Sequence, residues 1–231
     1  MSTSTPVQAT QAIEARYGEL AESTCCLSCG SAVGHCDAKP GQVCVDLGSG
    51  RGTDVLRLAE LVGPEGHAYG IDVTDAMLDK AEKTARKLGV TNATFLRGTL
   101  EKLPLPDASA DWVLSNCVLN HAADKNATWR EIARVLKPGG HFVVSDIYAV
   151  EEIPAEYRDN PEYVAECWAG AVSKEQYLRH IQDAGLEDVT ISEESAPYGK
   201  GKAQVVSFTV SGQKRGRCCS GWSWPPENPK Q

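Results

Sequence analysis

Three closely spaced glycines follow a short apolar segment, and they are the first feature of the sequence that predicts chemistry. They stand directly after Val43–Leu47, at Gly48, Gly50 and Gly52. Glycine permits positive φ angles and lets a ligand approach the backbone without meeting a Cβ atom. Where such a turn leads into a helix, the free N–H groups of the first helical turn also point toward the ligand. The pattern predicts a nucleotide-type ligand at the first strand of an open α/β sheet, and a plain tight turn is the simpler alternative.

Two acidic residues refine this prediction. Asp72 ends the apolar segment His67–Asp72, where a carboxylate can accept hydrogen bonds from ribose hydroxyls; capping the next helix is its other possible role. Asp46 stands just before the glycines, where it would suit an amine of the ligand and repel a pyrophosphate. The glycine spacing is G-x-G-x-G and not the G-x-G-x-x-G of dinucleotide sites. Together these features favour S-adenosylmethionine (SAM) over NAD.

The nine cysteines are the second chemically informative group. An odd number of cysteines without a recognisable export signal argues against a disulfide framework, so we expect core residues, metal ligands or redox groups. Cys44 alternates with valines and is predicted to lie in the core, and by periodicity alone Cys117 is also a small buried residue. Cys26 and Cys29 form a C-x-x-C pair that could be half of a zinc site or a redox dithiol. The full set is Cys25, Cys26, Cys29, Cys36, Cys44, Cys117, Cys167, Cys218 and Cys219.

Alternating strands and helices are expected to position these groups. Apolar periodicity predicts an α/β fold with a Rossmann-like, seven-stranded sheet, mostly parallel, which a C-terminal antiparallel hairpin closes. The predicted strands are Val43–Leu47, His67–Asp72, Ala93–Arg97, Trp112–Ser115, His141–Ile147, Leu186–Ile191 and Val205–Val210. The predicted helices are Ala9–Leu20, Thr53–Leu61, Asp75–Leu88, Asp124–Leu136, Tyr163–Ala171 and Ser173–Ala184.

Four regions follow from this pattern. Residues 1–41 form an N-terminal helix and a cysteine-rich loop, and residues 42–147 form the nucleotide-binding core. Residues 148–212 add helices and the closing strands, and residues 213–231 are predicted to be a flexible tail. A net charge of −8 argues against nucleic acid as a partner. No apolar run is long enough for a membrane span, so we expect a cytoplasmic monomer without a membrane partner.

Four motifs follow one another between about residues 40 and 147: Asp46–Gly52, Gly70–Asp72, Asp111–Asn116 and Leu136–Gly140. In order and spacing they resemble those of the class I SAM-dependent methyltransferases. The resemblance implies that the glycines pass under the cofactor, that Asp46 lies near its amino acid part and that Asp72 binds its ribose. Leu100 and Glu101 resemble the adenine-contacting pair. The implied cofactor residues are Asp46, Gly48, Ser49, Gly50, Asp72, Val73, Leu100, Glu101 and Asn116.

A narrower resemblance rests on motifs outside the cofactor site. They are Ser115–Asn120, Ser145–Ala149, Glu166-Cys167 with Gly170-Ala171, and Tyr17-Gly18 followed by Cys25-Cys26. Over about residues 7–195 the chain resembles the arsenite methyltransferases. The resemblance implies that trivalent arsenic, as the substrate, is bound by Cys117, Cys167 and a loop cysteine, assigned to Cys29. Cys25 or Cys26 would be a further catalytic cysteine that pairs with the loop cysteine in a disulfide when arsenic is reduced.

The chemistry of arsenic agrees with the predicted cysteine ligands. Trivalent arsenic is a soft centre that takes thiolate ligands, and its lone pair can attack a sulfonium methyl without a side-chain base. Catalysis is then mainly positioning, with glutathione or thioredoxin as the thiol reductant and a possible partner. The chain departs from the family in two places. Only two residues separate Cys26 from Cys29, where the family has a longer connection, and His121 replaces a usually apolar residue.

Two other functions remain open from the residues. The chain could methylate another small acceptor with the cysteines incidental, or it could be a cysteine-rich arsenic-binding protein with little turnover. The shortened loop motivates the second alternative. Cys218 and Cys219 are either part of an ordinary tail or a pair that relays arsenic or electrons, and the flanking Arg215 and Arg217 would lower their pKa.

Overall fold

The computed structural model describes residues 6–22 and 31–216. Its helices are α1 (Pro6–Leu20), α2 (Thr53–Val62), α3 (Asp75–Leu88), α4 (Lys125–Val135), α5 (Ala155–Arg158), α6 (Pro161–Val164) and α7 (Lys174–Asp183). Its strands are β1 (Val43–Leu47), β2 (His67–Asp72), β3 (Ala93–Arg97), β4 (Ala110–Asn116), β5 (Leu136–Ala149), β6 (Leu186–Glu194), β7 (Tyr198–Lys200) and β8 (Ala203–Lys214). Short 3-10 helices occupy Ala32–His35, Leu119–His121 and Trp168–Gly170.

The strands form one mixed sheet in the order β3-β2-β1-β4-β5-β8-β6, and β7 pairs with β8. Strands β1 to β5 pair in parallel, whereas β8 runs antiparallel to β5 and β6. The predicted mostly parallel sheet with an antiparallel closing hairpin is therefore confirmed. The strand order reverses between β1 and β4. In open α/β sheets a ligand crevice forms at the carboxyl ends of the strands at such a point.

Helices cover both faces of the sheet, which explains why β1 is apolar on both sides. Cys44, Val45 and Leu47 are all fully buried, as expected for a central parallel strand. The predicted core position of Cys44 is thus confirmed. Helix α3 ends at Gly89, whose φ of 71° gives the left-handed conformation of a C-terminal glycine.

Three sequence predictions of secondary structure need correction. Strand β5 begins at Leu136 and not at the predicted His141, and Leu136 pairs with Ala110 before a register shift. The helix predicted over residues 163–171 is broken, since Cys167 has a φ of 73° between α6 and the following 3-10 helix.

The third correction concerns the end of the sheet. The sheet has eight strands and not the predicted seven, because β7 was not predicted. Strand β8 continues to Lys214, so residues 213 and 214 lie in a strand and not in a tail. Cys25, Cys26, Cys29, Cys218 and Cys219, together with the rest of the predicted tail from residue 217, lie outside the described residues. Within the described ranges, no helix combines the length and the apolar character that crossing a bilayer requires.

Candidate functional site

A cavity of about 650 Å³ opens at the carboxyl ends of the central strands, where the strand order reverses. The turn after β1, the end of β2 and the segments after β3 and β4 form its walls, and α1 covers it. Its size lies in the usual range for sites of cofactors and small molecules. Seven of the nine residues predicted to contact the cofactor line it: Gly48, Gly50, Asp72, Val73, Leu100, Glu101 and Asn116. Asp46 and Ser49 are buried beside the same turn and do not line the cavity.

The glycine turn is shaped by close contacts that only glycine permits. Gly48 has a φ of 67°, and a Cβ atom there would overlap the side chain of Val118. Gly50 has a φ of 50°, and the space beside its Cα is open. The Gly50 N–H donates to Asp72 Oδ2 at 2.8 Å, so the turn is tied to the end of β2. The glycine spacing predicted such positive φ angles. We call the turn from Gly48 to Gly52 the glycine cradle.

Two buried acids stand at this cradle. Asp72 also accepts a hydrogen bond from the Thr74 N–H at 2.8 Å, yet burial raises the pKa of its carboxyl group above the ordinary value. Asp46 is 5% exposed, and burial, followed by the charges of Asp54 and Asp72, raises its pKa well above the ordinary value. Ser49 Oγ is buried nearby and has no hydrogen-bond partner among the described residues. Buried acids and an unpaired hydroxyl at a glycine cradle fit a polar ligand that carries positive charge, as SAM does.

Glu101 belongs to the cavity wall and also fixes the start of α4. Its Oε1 atom accepts hydrogen bonds from the backbone N–H groups of Ala123, at 2.9 Å, and Asp124, at 3.4 Å. The carboxylate therefore joins the segment after β3 to the segment after β4. Its role in binding adenine, together with Leu100, stays a prediction.

Cys117 and Cys167 belong to one buried apolar cluster, although 50 positions of the sequence separate them. Cys117 lines the cavity and is 5% exposed, whereas Cys167 is 3% exposed and does not line the cavity. Both have positive φ angles, of 56° and 73°. Among the described non-glycine residues only Ala108 and Asp188 share this conformation. Such backbone strain is concentrated at functional sites in proteins.

A buried carboxylate, Asp146 on β5, joins the Cys167 thiol to the surrounding segments. Its Oδ1 atom accepts from Cys167 Sγ at 3.7 Å and from Asn120 Nδ2 at 2.9 Å, and its Oδ2 atom accepts from the Tyr177 hydroxyl at 3.3 Å. Burial raises the pKa of Asp146 to about 6, while the charge of Lys125 acts in the opposite direction. The sequence prediction missed this network. The only signal for it was the motif Ser145–Ala149, in which Asp146 had no assigned role.

His121 also lines the cavity, on the side of α1. Its ring lies edge-on to that of Tyr17, with the centroids 5.7 Å apart and an angle of 82° between the planes. Burial is the main cause that lowers the pKa of its imidazole to about 4, so the ring is neutral near pH 7. His121, which replaces a usually apolar residue of the family, therefore lies at the site.

Metal-ligand groupings give no further site in the part of the chain that the structure describes. There, no group of three or more His, Cys, Asp or Glu residues could hold a metal ion. The predicted third arsenic ligand, Cys29, and its neighbours Cys25 and Cys26 fall outside that part. Two of the three predicted ligands therefore lie in one buried cluster, and the third falls outside the described residues.

Comparisons with known proteins agree with the fold and the glycine cradle. A family model described as a methyltransferase domain matches residues 38–185, so the chain has the class I architecture of SAM-dependent methyltransferases. It is 36% identical over 166 residues to the arsenite methyltransferase of Halobacterium salinarum, an alignment that covers 72% of this chain and 42% of that protein. It is 42% identical over 137 residues to the human arsenite methyltransferase, covering 55% of this chain and 36% of the relative.

A solved structure supports a more specific family than the methyltransferase domain alone. The crystal structure of CrArsM, an arsenic (III) S-adenosylmethionine methyltransferase from Chlamydomonas reinhardtii, matches with a TM-score of 0.70 and 30% identity, over 90% of this chain and 74% of that one. The chain belongs to the arsenite methyltransferase family. It spans about two fifths of the length of the curated relatives that it matches.

Proposed function

We propose that this protein transfers the methyl group of SAM to trivalent arsenic held by cysteine thiolates. The observation that carries the proposal is that Cys117 and Cys167, from two distant segments, belong to one buried cluster, and that Cys117 lines a cavity with a methyltransferase glycine cradle. Membership of the arsenite methyltransferase family supports the same substrate.

The proposed cofactor site uses the residues of the cradle. Gly48 and Gly50 let the backbone pass under the cofactor, Asp72 accepts hydrogen bonds from its ribose, and the buried charge of Asp46 lies near its amino group. Leu100 and Glu101 face its adenine. When bound, SAM supplies an electrophilic methyl group on a sulfonium, with S-adenosylhomocysteine as the leaving group.

The proposed arsenic site uses soft ligands. Cys117, Cys167 and a loop cysteine, assigned to Cys29, would leave the arsenic lone pair free and directed at the cavity. That lone pair forms the new bond to carbon, so arsenic gives up two electrons and becomes formally pentavalent. Because no proton leaves arsenic, the chain needs no general base, and its contribution is to hold the two reactants in line.

The reductive step completes the cycle. Pentavalent methylated arsenic returns to the trivalent state when two thiols are oxidised to one disulfide, which supplies two electrons and releases two protons. We propose glutathione or thioredoxin as the source of these thiols, with Cys25 or Cys26 and Cys29 as the pair in the chain that is oxidised first.

A direct assay tests the proposed function. Purified protein is incubated with SAM, arsenite and either glutathione or a thioredoxin system, and the arsenic species are separated by chromatography with mass-spectrometric detection. We expect methylated arsenicals only when SAM and a thiol are both present. Arsenite binding without any methylated product would instead favour a binding protein, and an absence of both would favour another acceptor.

The buried acids predict a specific pH dependence for SAM binding. Burial raises the pKa values of Asp46 and Asp72 in the free protein, and a positively charged ligand stabilises their carboxylates and lowers those values. Binding should therefore release protons, and the affinity for SAM should increase as the pH rises through the raised pKa values.

Calorimetry measures this linkage. The binding enthalpy should differ between two buffers of unequal ionisation enthalpy at one pH, with the sign of proton release. S-adenosylhomocysteine lacks the sulfonium charge and should release fewer protons, and Asp72→Asn should also reduce the release. An enthalpy that is independent of the buffer would contradict this role of the acids.

A further inference from the structure

The ring of His121 contacts two other segments of the chain through its two nitrogen atoms. Its Nδ1 atom lies 2.9 Å from the backbone carbonyl oxygen of Val164, the last residue of α6. Its Nε2 atom lies 3.3 Å from the hydroxyl oxygen of Tyr17 on α1. His121 itself ends the short 3-10 helix after Cys117. One side chain therefore links three segments that meet at the cavity.

The chemistry of the partners fixes the direction of both hydrogen bonds. A backbone carbonyl only accepts, so Nδ1 must carry the proton and donate to Val164. In a neutral imidazole Nε2 is then an acceptor, and the Tyr17 hydroxyl donates to it. Burial disfavours the protonated ring, which agrees with this arrangement.

Two of the three linked segments carry the two thiols, and the third is α1. Cys117 lies four positions before His121, and Cys167 lies three positions after Val164. Tyr17 belongs to the helix that covers the cavity and, like His121, lines it. The His121 ring is therefore placed where it can couple these two cysteine-bearing segments to α1.

We propose that His121 is a positioning residue that holds the Cys117 segment against the Cys167 segment and seats α1 over the cavity. In the arsenite methyltransferases that the chain resembles, the residue at this position is usually apolar. An apolar residue could pack here but could not make either hydrogen bond. His121 would hold these segments together in the protein without arsenite. Only the effect of His121 on arsenite binding rests on the proposed function.

Two ion pairs of α1 are weaker candidates for this task. Arg16 pairs with Glu166 at 3.7 Å, and Glu14 pairs with Arg97 at 2.6 Å. Their side chains are between a third and a little over half exposed, and ion pairs in such places contribute little in salt. Arg16→Ala is therefore a suitable control for a change that also removes a contact of α1.

Alkylation of individual cysteines tests the proposal without arsenic. The full chain is treated with iodoacetamide under native conditions, and the rate at each cysteine is followed by peptide mass spectrometry. In His121→Phe we expect the rates at Cys117 and Cys167 to rise about tenfold, because two hydrogen bonds are lost and one buried carbonyl is left without its donor. Cys44, which is fully buried in a different cluster, should not change, and neither should any rate in Arg16→Ala.

Two further variants separate the two hydrogen bonds. Tyr17→Phe keeps the aromatic ring and should raise the rate mainly at Cys117, which lines the cavity under α1. His121→Asn keeps a donor near the Nδ1 position, so it should restore the protection of Cys167 more than that of Cys117. The combined Tyr17→Phe and His121→Phe variant should be no more reactive than His121→Phe alone, since both act on one contact.

The outcomes that overturn the proposal are distinct from a failure of the proposed function. Unchanged rates at Cys117 and Cys167, or an equal rise at Cys44, would show that His121 does not act as proposed; if His121→Phe does not fold, unchanged rates in Tyr17→Phe lead to the same conclusion. With an active enzyme, His121→Phe should raise the KM for arsenite about tenfold with little change in kcat at saturation. A protein inactive on arsenite would still yield the alkylation result.

Discussion

Cys117→Ser and Cys167→Ser are each expected to lower the rate of arsenic methylation by a factor of at least about 100. Replacing a residue that hydrogen-bonds to a metal ligand typically lowers metal affinity or activity 10- to 100-fold. Loss of a direct ligand to a soft centre should lower the activity at least as much, because a serine hydroxyl is a hard, neutral donor at pH 7. Serine keeps the shape of cysteine at these buried positions, so the loss should come from chemistry more than from packing. The measurement is the initial rate of methylated arsenic formation with SAM and glutathione in excess.

SAM binding provides the internal control for this experiment. The Kd of both variants for SAM should stay within about a factor of two of that of the unmodified chain, since a general loss of binding would indicate damage to the fold. Cys36→Ser is a matched control, because Cys36 is partly buried and packs against a different cluster on β1. Full turnover in both variants would refute these residues as arsenic ligands even if the chain methylates arsenic.

Gly170→Ala is expected to have the second large effect. A Cβ atom at this position would overlap the backbone carbonyl oxygen of Asn120, and a backbone atom cannot move aside as a flexible side chain can. Gly170 and Asn120 lie in the 3-10 helices that follow Cys167 and Cys117. The substitution should therefore push the two thiols apart and reduce arsenic methylation at least about 10-fold, a loss of about 1.4 kcal/mol in transition-state stabilisation.

Stability measurements distinguish this effect from general unfolding. Overpacking of this kind typically costs about 1–3 kcal/mol, which should lower the midpoint of thermal unfolding without abolishing SAM binding. Gly199→Ala serves as the control, since the nearest atom to its Cβ would be 3.7 Å away. If Gly170→Ala retained full activity toward arsenite, close packing of these two helices would not matter for the reaction.

The strands and the glycine turn of the cofactor half were well predicted from the sequence because their signals are local. Strands β1, β2 and β3 begin and end at the predicted residues, since apolar runs bounded by glycines or polar turns define them. The glycine spacing predicted positive φ angles at Gly48 and Gly50, and both are observed. Asp72 accepts a hydrogen bond from the Gly50 N–H of the turn, and its contact with ribose stays a prediction.

The acceptor half was predicted less completely because it is assembled from distant segments. Asp146, Asn120, Cys167 and Tyr177 form one hydrogen-bonded network, yet no local pattern of the sequence indicates that these residues contact one another. The helix predicted over residues 163–171 failed for a related reason. Tertiary contacts hold Cys167 at a positive φ that its residue type disfavours, and no local pattern indicates this.

The position of β8 has a consequence for how the protein is made. This strand follows all the others along the described chain, yet it lies inside the sheet, between β5 and β6. During synthesis β5 therefore emerges from the ribosome well before its neighbour exists, and its free N–H and C=O groups form an open edge that can pair with other chains. Closing that edge requires a contact between residues far apart in sequence, which slows folding and prolongs exposure to aggregation. The edge of β5 should thus stay open until Lys214 has left the ribosome, although the cofactor half is encoded much earlier.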